Sequence, residues 1–137
     1  MSREVLVPVD DSGSAWKALG YALREHEGES ITVLHVINPL DKRRRPGEPQ
    51  TDLRKRAEEV VEDAHDRFRR VNPADTDFDV EIREGKPIPA ILNYAEEASV
   101  DTIIMGTRGM SGTDQLLIGS VAEGVKERAD VPVMVIE

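Results

Sequence analysis

The sequence predicts a single-domain α/β fold: a doubly wound, five-stranded parallel sheet in the order 3-2-1-4-5, with helices on both faces. Two observations carry that expectation. Short apolar runs of strand length alternate along the chain with stretches at helical spacing, in the order βαβαβαβαβ. The total of 137 residues fits one domain spanning 1–137 and leaves little for a second.

The first strand is the continuous apolar run Val5-Leu6-Val7-Pro8-Val9, the pattern of a strand buried on both faces. Ala15, Ala18, Leu19, Ala22 and Leu23 then form one helical stripe, on which Trp16 is read as a packing residue. A second buried strand runs from Ile31 to Ile37. The stretch Asn38 to Gln50 is polar, with three prolines and the run Lys42-Arg43-Arg44-Arg45, and reads as a solvated loop or a lid. Leu53, Ala57, Val60, Val61, Ala64, Phe68 and Val71 mark a longer amphipathic helix.

In the third strand Phe78, Val80 and Ile82 alternate with Asp77, Asp79 and Glu81, so one face is wet. Ile88, Ile91, Leu92 and Ala95 form the third helix, with Pro87 suited to its first turn. Thr102 to Met105 is the fourth strand, and Gly106 to Leu117 a loop rich in Gly, Ser and Thr. Ile118, Val121, Ala122 and Val125 make the last helix. Val131 to Ile136 is the last strand, apolar on both faces as if fully buried.

Composition narrows the function. No apolar run approaches the roughly 18 residues of a membrane helix. Met1-Ser2-Arg3-Glu4 leads straight into the first strand without the basic and apolar regions of a signal peptide, so the cytoplasm is the expected compartment. The absence of cysteine excludes disulfides, cysteine-zinc sites and thiol catalysis. A net charge of −9 repels nucleic-acid backbones. His26, His35 and His65 have no metal-ligand spacing; His35 reads as a strand residue with a satisfied ring and the other two as surface residues.

The architecture says where a ligand belongs. In a doubly wound sheet it sits beyond the carboxyl ends of the strands where the order reverses, here between strands 1 and 4. The segments leaving those ends are Asp10-Asp11-Ser12-Gly13-Ser14 and Gly106-Thr107-Arg108-Gly109. Glycines let a backbone present N–H groups to an anion, and the N-terminus of the following helix adds a favourable dipole. The loop suits phosphate. It is neither a Walker A loop, since no Gly-Lys-Ser/Thr occurs, nor a dinucleotide fingerprint, since glycines 106, 109 and 112 stand three apart.

Gly106, Gly109, Gly119 and Ser120 fit the pattern G-x2-G-x9-G-S/T, and with it the chain resembles the universal stress proteins. The resemblance covers the whole chain, including Val7-Pro8-Val9-Asp10, Leu34-His35-Val36, Gly85-x-Pro87 and Ile103-Ile104-Met105-Gly106. It implies an ATP-binding protein of stress survival and signalling with at most slow hydrolysis. The implied nucleotide contacts are Pro8, Val9 and Asp10 on the adenosine, and Val36 on the adenine. Met105, Gly106, Arg108 and Gly109 follow at the ribose and phosphates, with Gly119, Ser120 and Val121 closing around the phosphates. Many relatives have His at the position of Arg108, where arginine keeps a phosphate-directed donor with permanent charge.

Plainer roles compete for some of these residues. Ser120 and Glu123 satisfy S-x-x-E, a capping box that needs no ligand. Asp10 can cap the first helix, and Asp11 can help hold Mg²⁺ through water. No Ser/His/Asp constellation or paired catalytic carboxylates stand out, and phosphoryl transfer needs metal, nucleophile and charge stabilisation together. No catalytic residue is assigned. Three readings therefore stay open: an ATP-binding regulatory protein, a dimeric interaction module with a vestigial pocket, and a true adenine-nucleotide hydrolase or transferase.

Strand order also predicts an association. The last strand lies at the sheet edge with only Pro132 to blunt it, whereas the opposite edge carries Asp77, Asp79 and Glu81. Two copies pairing antiparallel through Val131 to Ile136 would form a closed homodimer, and the resemblance implies the same.

The charge pattern generates its own test. Thirteen arginines against five lysines on an acidic, aromatic-poor chain fit a high-salt cytoplasm, where self-repulsion is screened, and fit an ordinary acidic bacterial protein equally well. A halophilic origin requires the melting temperature to rise between about 0.1 and 3 M KCl as screening removes self-repulsion. A flat or falling curve excludes it.

Overall fold

The computed structural model describes residues 3–10, 12–39, 50–107 and 120–137. Nine elements follow one another: β1 (Glu4–Pro8), α1 (Gly13–Glu25), β2 (Ser30–Ile37), α2 (Gln50–Val71), β3 (Asp77–Glu84), α3 (Pro87–Glu97), β4 (Thr102–Gly106), α4 (Ser120–Arg128) and β5 (Val133–Ile136). The strands form one parallel sheet in the order β3-β2-β1-β4-β5, the order the sequence predicts.

Side chains alternate across the sheet, so each face builds its own core. Val5, Val7, Val9, Ile31, Val33 and Ile104 pack with Ala18, Leu19, Ala22 and Leu23 of α1 and with Val60 and Ala64 of α2. Leu6, Leu34, Val36, Ile103 and Met105 pack on the other face with Ile91 and Ala95 of α3 and Ala122 and Val125 of α4. The central strands are buried on both faces, which is why they read as unbroken apolar runs.

Local chemistry sets the helix ends. Ser12 caps α1, its hydroxyl accepting from the Ala15 N–H at 3.3 Å. The cap is therefore Ser12 and not Asp10, whose carboxylate accepts the Ser12 N–H at 3.0 Å. Trp16 is buried as predicted, with the Arg67 guanidinium 4.5 Å over its ring. Pro87 opens α3, where a missing N–H costs nothing. Phe68 of α2 stacks on Phe78 at 4.5 Å, and Phe78 also receives His65 edge-on at 5.5 Å.

Several details depart from the sequence reading. His65 is half-buried by that aromatic contact, and His26 by its Nδ1 bond to Glu29 Oε2 at 2.5 Å, so neither is a plain surface residue. Val71 and Ile82, placed on apolar stripes, end exposed. The last strand is four residues rather than six, because the chain pairs with β4 only from Val133 onward. It is half-buried, with Met134 40% exposed, since nothing among the described residues pairs with its outer edge.

Two breaks in the ladder shape the middle of the sheet. The Asp101 N–H bonds the Glu4 carbonyl at 2.8 Å, so residues 4, 6 and 8 of β1 direct their backbone groups toward β4. Pro8 has no N–H to give, and the β1–β4 register stops after Leu6↔Ile103. A crevice opens above that point. β4 continues to Gly106, which lies against the first turn of α1: a Cβ there would stand 2.4 Å from the Ser14 carbonyl carbon and 2.5 Å from its oxygen.

Gly106 is thus required by backbone packing whatever the chain binds. Gly106→Ala should lower unfolding free energy by roughly 1–3 kcal/mol in urea denaturation, the range for overpacking. Gly13→Ala meets nothing within 4 Å and should be neutral or stabilising by up to about 1 kcal/mol. Equal effects of the two changes would refute the close approach.

Candidate functional site

A narrow cleft, open at its mouth, lies at the carboxyl ends of β1, β2 and β4, on the α3/α4 face. Of the eleven residues predicted from sequence, seven line it: Pro8, Val9, Asp10, Val36, Met105, Gly106 and Val121. Ser120 adjoins as the first residue of α4 and is exposed. Arg108, Gly109 and Gly119 lie outside the described residues, as do Asp11 and the Lys42–Arg45 run. The sequence reading missed Ala15, Leu34, Pro87 and Ile91 of the lining. Their only signal was apolar periodicity, which does not separate a core wall from a cleft wall.

The fold explains each contribution. Pro8 and Val9 stand where β1 parts from β4, and Met105 and Gly106 form the facing wall at the end of β4. Leu34 and Val36 point up from β2 into the same space, with Ile91 of α3 opposite. The first turns of α3 and α4, at Pro87 and Val121, close two sides and bring two helix N-termini to the cleft. The α3 N-cap is Lys86, whose side chain makes no capping bond.

Among the described residues the lining is apolar apart from Asp10, the one ionisable residue there. Asp10 is half-buried, and Oδ1 takes the Ser12 N–H; among the described residues no bond to Oδ2 is formed, so it can meet a hydroxyl or a solvated cation. Among the described residues no group of three or more His, Asp or Glu could hold a metal ion. The one titration shift in the described chain lies away from the cleft. Burial pushes the Tyr94 phenol up, against a hydrogen bond with Thr32 that lowers it.

A second ladder break adds polarity that no side chain supplies. The β1–β2 register ends at Pro8↔Leu34, and the Val9 N–H then donates to the Leu34 carbonyl at 2.9 Å. The next parallel rung would run from the Val36 N–H to the Val9 carbonyl. Among the described residues that rung is not formed. The Val9 carbonyl instead faces His35 Nδ1 at 2.8 Å. A carbonyl only accepts, so Nδ1 carries the proton, and the ring is satisfied as predicted. Val36, 9% exposed, lines the cleft at the point where that rung is missing.

The universal stress protein family model matches residues 1–137. A universal stress protein of Methanocaldococcus jannaschii is 28% identical over 142 residues, covering 98% of this chain and 82% of the relative. The solved universal stress protein of Lactobacillus plantarum superposes with a TM-score of 0.82 at 25% identity, over 98% of this chain and 97% of the other. That of Archaeoglobus fulgidus, solved in complex with dAMP, gives a TM-score of 0.70 at 25% identity, over 100% and 98% of the two chains. With its whole length matched by the family model and its fold superposing on these structures, the chain belongs to the universal stress protein family.

Proposed function

We propose that the protein is an ATP-binding universal stress protein, a small cytoplasmic regulator whose cleft holds adenine nucleotide. One observation carries the reading: seven residues chosen from sequence alone converge on one cleft at the switch point of the sheet. The dAMP complex of the Archaeoglobus fulgidus relative supports the ligand class.

Each part of an adenine nucleotide has a chemical match. A purine ring fits the apolar slot of Leu34, Val36, Ile91 and Met105, where burial of its faces is favourable. The backbone N–H and C=O of Val36 complement the adenine N1 and N6 edge. The unengaged Asp10 oxygen suits a ribose hydroxyl. Phosphates then extend toward the helix N-termini and toward Arg108, Gly109, Gly119 and Ser120 of the glycine motif. Mg²⁺ would travel with the triphosphate, since among the described residues Asp10 is the one carboxylate lining the cleft and would reach the ion as a lone ligand or through water. Binding in this reading serves regulation, with hydrolysis slow or absent.

The exposed outer edge of β5 favours a homodimer beside the nucleotide role. Met134 presents an apolar side chain there, and strands Val133–Ile136 of two copies would pair antiparallel about a two-fold axis.

Two measurements test these readings. Calorimetry with millimolar Mg-ATP should show binding heat, and Gly109→Val should weaken it more than about tenfold, because backbone N–H contacts to a charged group contribute about 1.5–3 kcal/mol each. Absence of heat in the wild-type protein rules out the nucleotide role. Light scattering should give twice the monomer mass, reduced to the monomer mass in the Val133→Lys, Val135→Lys double variant. A monomeric wild type rules out the dimer, and an unchanged double variant places its interface elsewhere.

A further inference from the structure

We propose that Gly124 and Ile88 form a size-matched pair that positions the amino end of α4 against the phosphate end of the ligand. The inference rests on the nucleotide reading for its ligand consequence, and on the packing of α3 against α4 for its structural part. Both are positioning residues, since neither lines the cleft.

Gly124 stands inside α4, where glycine is a poor helix former and calls for a packing reason. The structure supplies one. Gly124 is buried, and a Cβ on it would lie 2.4 Å from Ile88 Cδ1 and 3.2 Å from Cγ1. Carbon atoms in ordinary contact stand roughly 3.5–4.0 Å apart, so Ile88 fills the space that a side chain at position 124 would need. The tip of an isoleucine can turn aside for a single methyl group. A β-branched residue puts two more stiffly held methyl groups into the same space, so the helices must separate. α3 rests on β2, inside the sheet, and α4 on the edge strand β5, so α4 is the element that yields.

The place of this contact gives it its consequence. Residues three apart share one face of a helix. Ile88 lies one turn before Ile91 on α3, and Gly124 one turn after Val121 on α4, and both Ile91 and Val121 line the cleft. The notch at Gly124 therefore sets how close α4 comes to α3 within one turn of the cleft. The two walls carry different parts of the site. Ile91 belongs to the base slot with Leu34, Val36 and Met105, none of which is on α4. α4 begins with Ser120 and Val121, directly after Gly119 of the glycine motif. Displacing α4 thus moves the phosphate side and leaves the base side in place.

The experiment uses the full chain with Gly124→Ala, Gly124→Val, Ile88→Ala and the double variant Gly124→Val, Ile88→Ala, which removes every Ile88 atom that crowds position 124. Mg-ATP and adenosine are titrated by calorimetry into each, and urea unfolding measures the coupling between the two positions. Gly124→Val should weaken ATP by about tenfold or more, the loss of one charge-assisted hydrogen bond, while adenosine changes by less than about twofold. Gly124→Ala, which gains helix propensity and keeps the comparison available if the valine variant unfolds, should show the same selective loss to a smaller degree. Adding Ile88→Ala to Gly124→Val should recover most of the ATP affinity, and the two changes should be non-additive in urea.

Unchanged ATP affinity in both Gly124 variants, or an equal loss for ATP and adenosine, overturns the positioning role. A double variant no better than Gly124→Val, or additive effects in urea, overturns the pairing with Ile88. A wild type that binds neither ligand overturns the nucleotide reading of the preceding subsection and the ligand consequence with it, and the urea coupling then decides the packing pair by itself.

Discussion

The parting of β1 from both of its neighbours at Pro8 and Val9 is the constraint on which the cleft depends. A central strand in a parallel sheet normally bonds on both sides along its length. Here the β4 side lacks a donor at Pro8, and on the β2 side the register ends at Pro8↔Leu34, where the Val9 carbonyl meets the His35 ring. The crevice opens where the order of the sheet reverses, and the missing donor of Pro8 ends the β1–β4 ladder just below it.

What surrounds the crevice is rigid for a different reason. Gly106 brings the end of β4 to within backbone contact of the first turn of α1, and Gly124 lets Ile88 of α3 press on α4, where a Cβ would stand 2.4 Å from the Ile88 Cδ1. Both glycines act through the absence of a side chain rather than through conformational freedom. Together they hold α1 against the sheet on one face and α3 against α4 on the other. The cleft walls are thus anchored to the two cores, each close-packed around branched aliphatic side chains.

Gly106 shows how one residue serves two readings. The glycine motif assigns it to phosphate, and the structure gives it a packing role in β4 that would demand glycine in any case. A motif match at such a position says less about ligand than its place in the pattern implies. The same holds for Ser12 and Asp10, where the serine takes the helix cap and leaves the aspartate at the cleft with one oxygen unengaged among the described residues. The division of labour at that turn favours a ligand role for Asp10 more than sequence spacing alone could.

Hydrophobic periodicity by itself determined the element order, the 3-2-1-4-5 sheet and the position of the switch point, because strand and helix periods differ and parallel strands demand crossovers. The resemblance carried by the glycine motif, and not periodicity, picked out Pro8, Val9, Asp10, Val36, Met105, Gly106 and Val121, which line the cleft at that switch point. Only the tertiary structure decided which apolar residues wall the cleft, since Leu34 and Ile91 look like any core residue until two helices leave a gap above them. It decided that Ser12 rather than Asp10 caps α1, that His26 and His65 are partly covered, and that β5 is half-exposed. The missing rung at Val36 was likewise out of reach, because it depends on backbone pairing across two strands. Local pattern records a residue's period; it carries no record of the partner that folding places opposite.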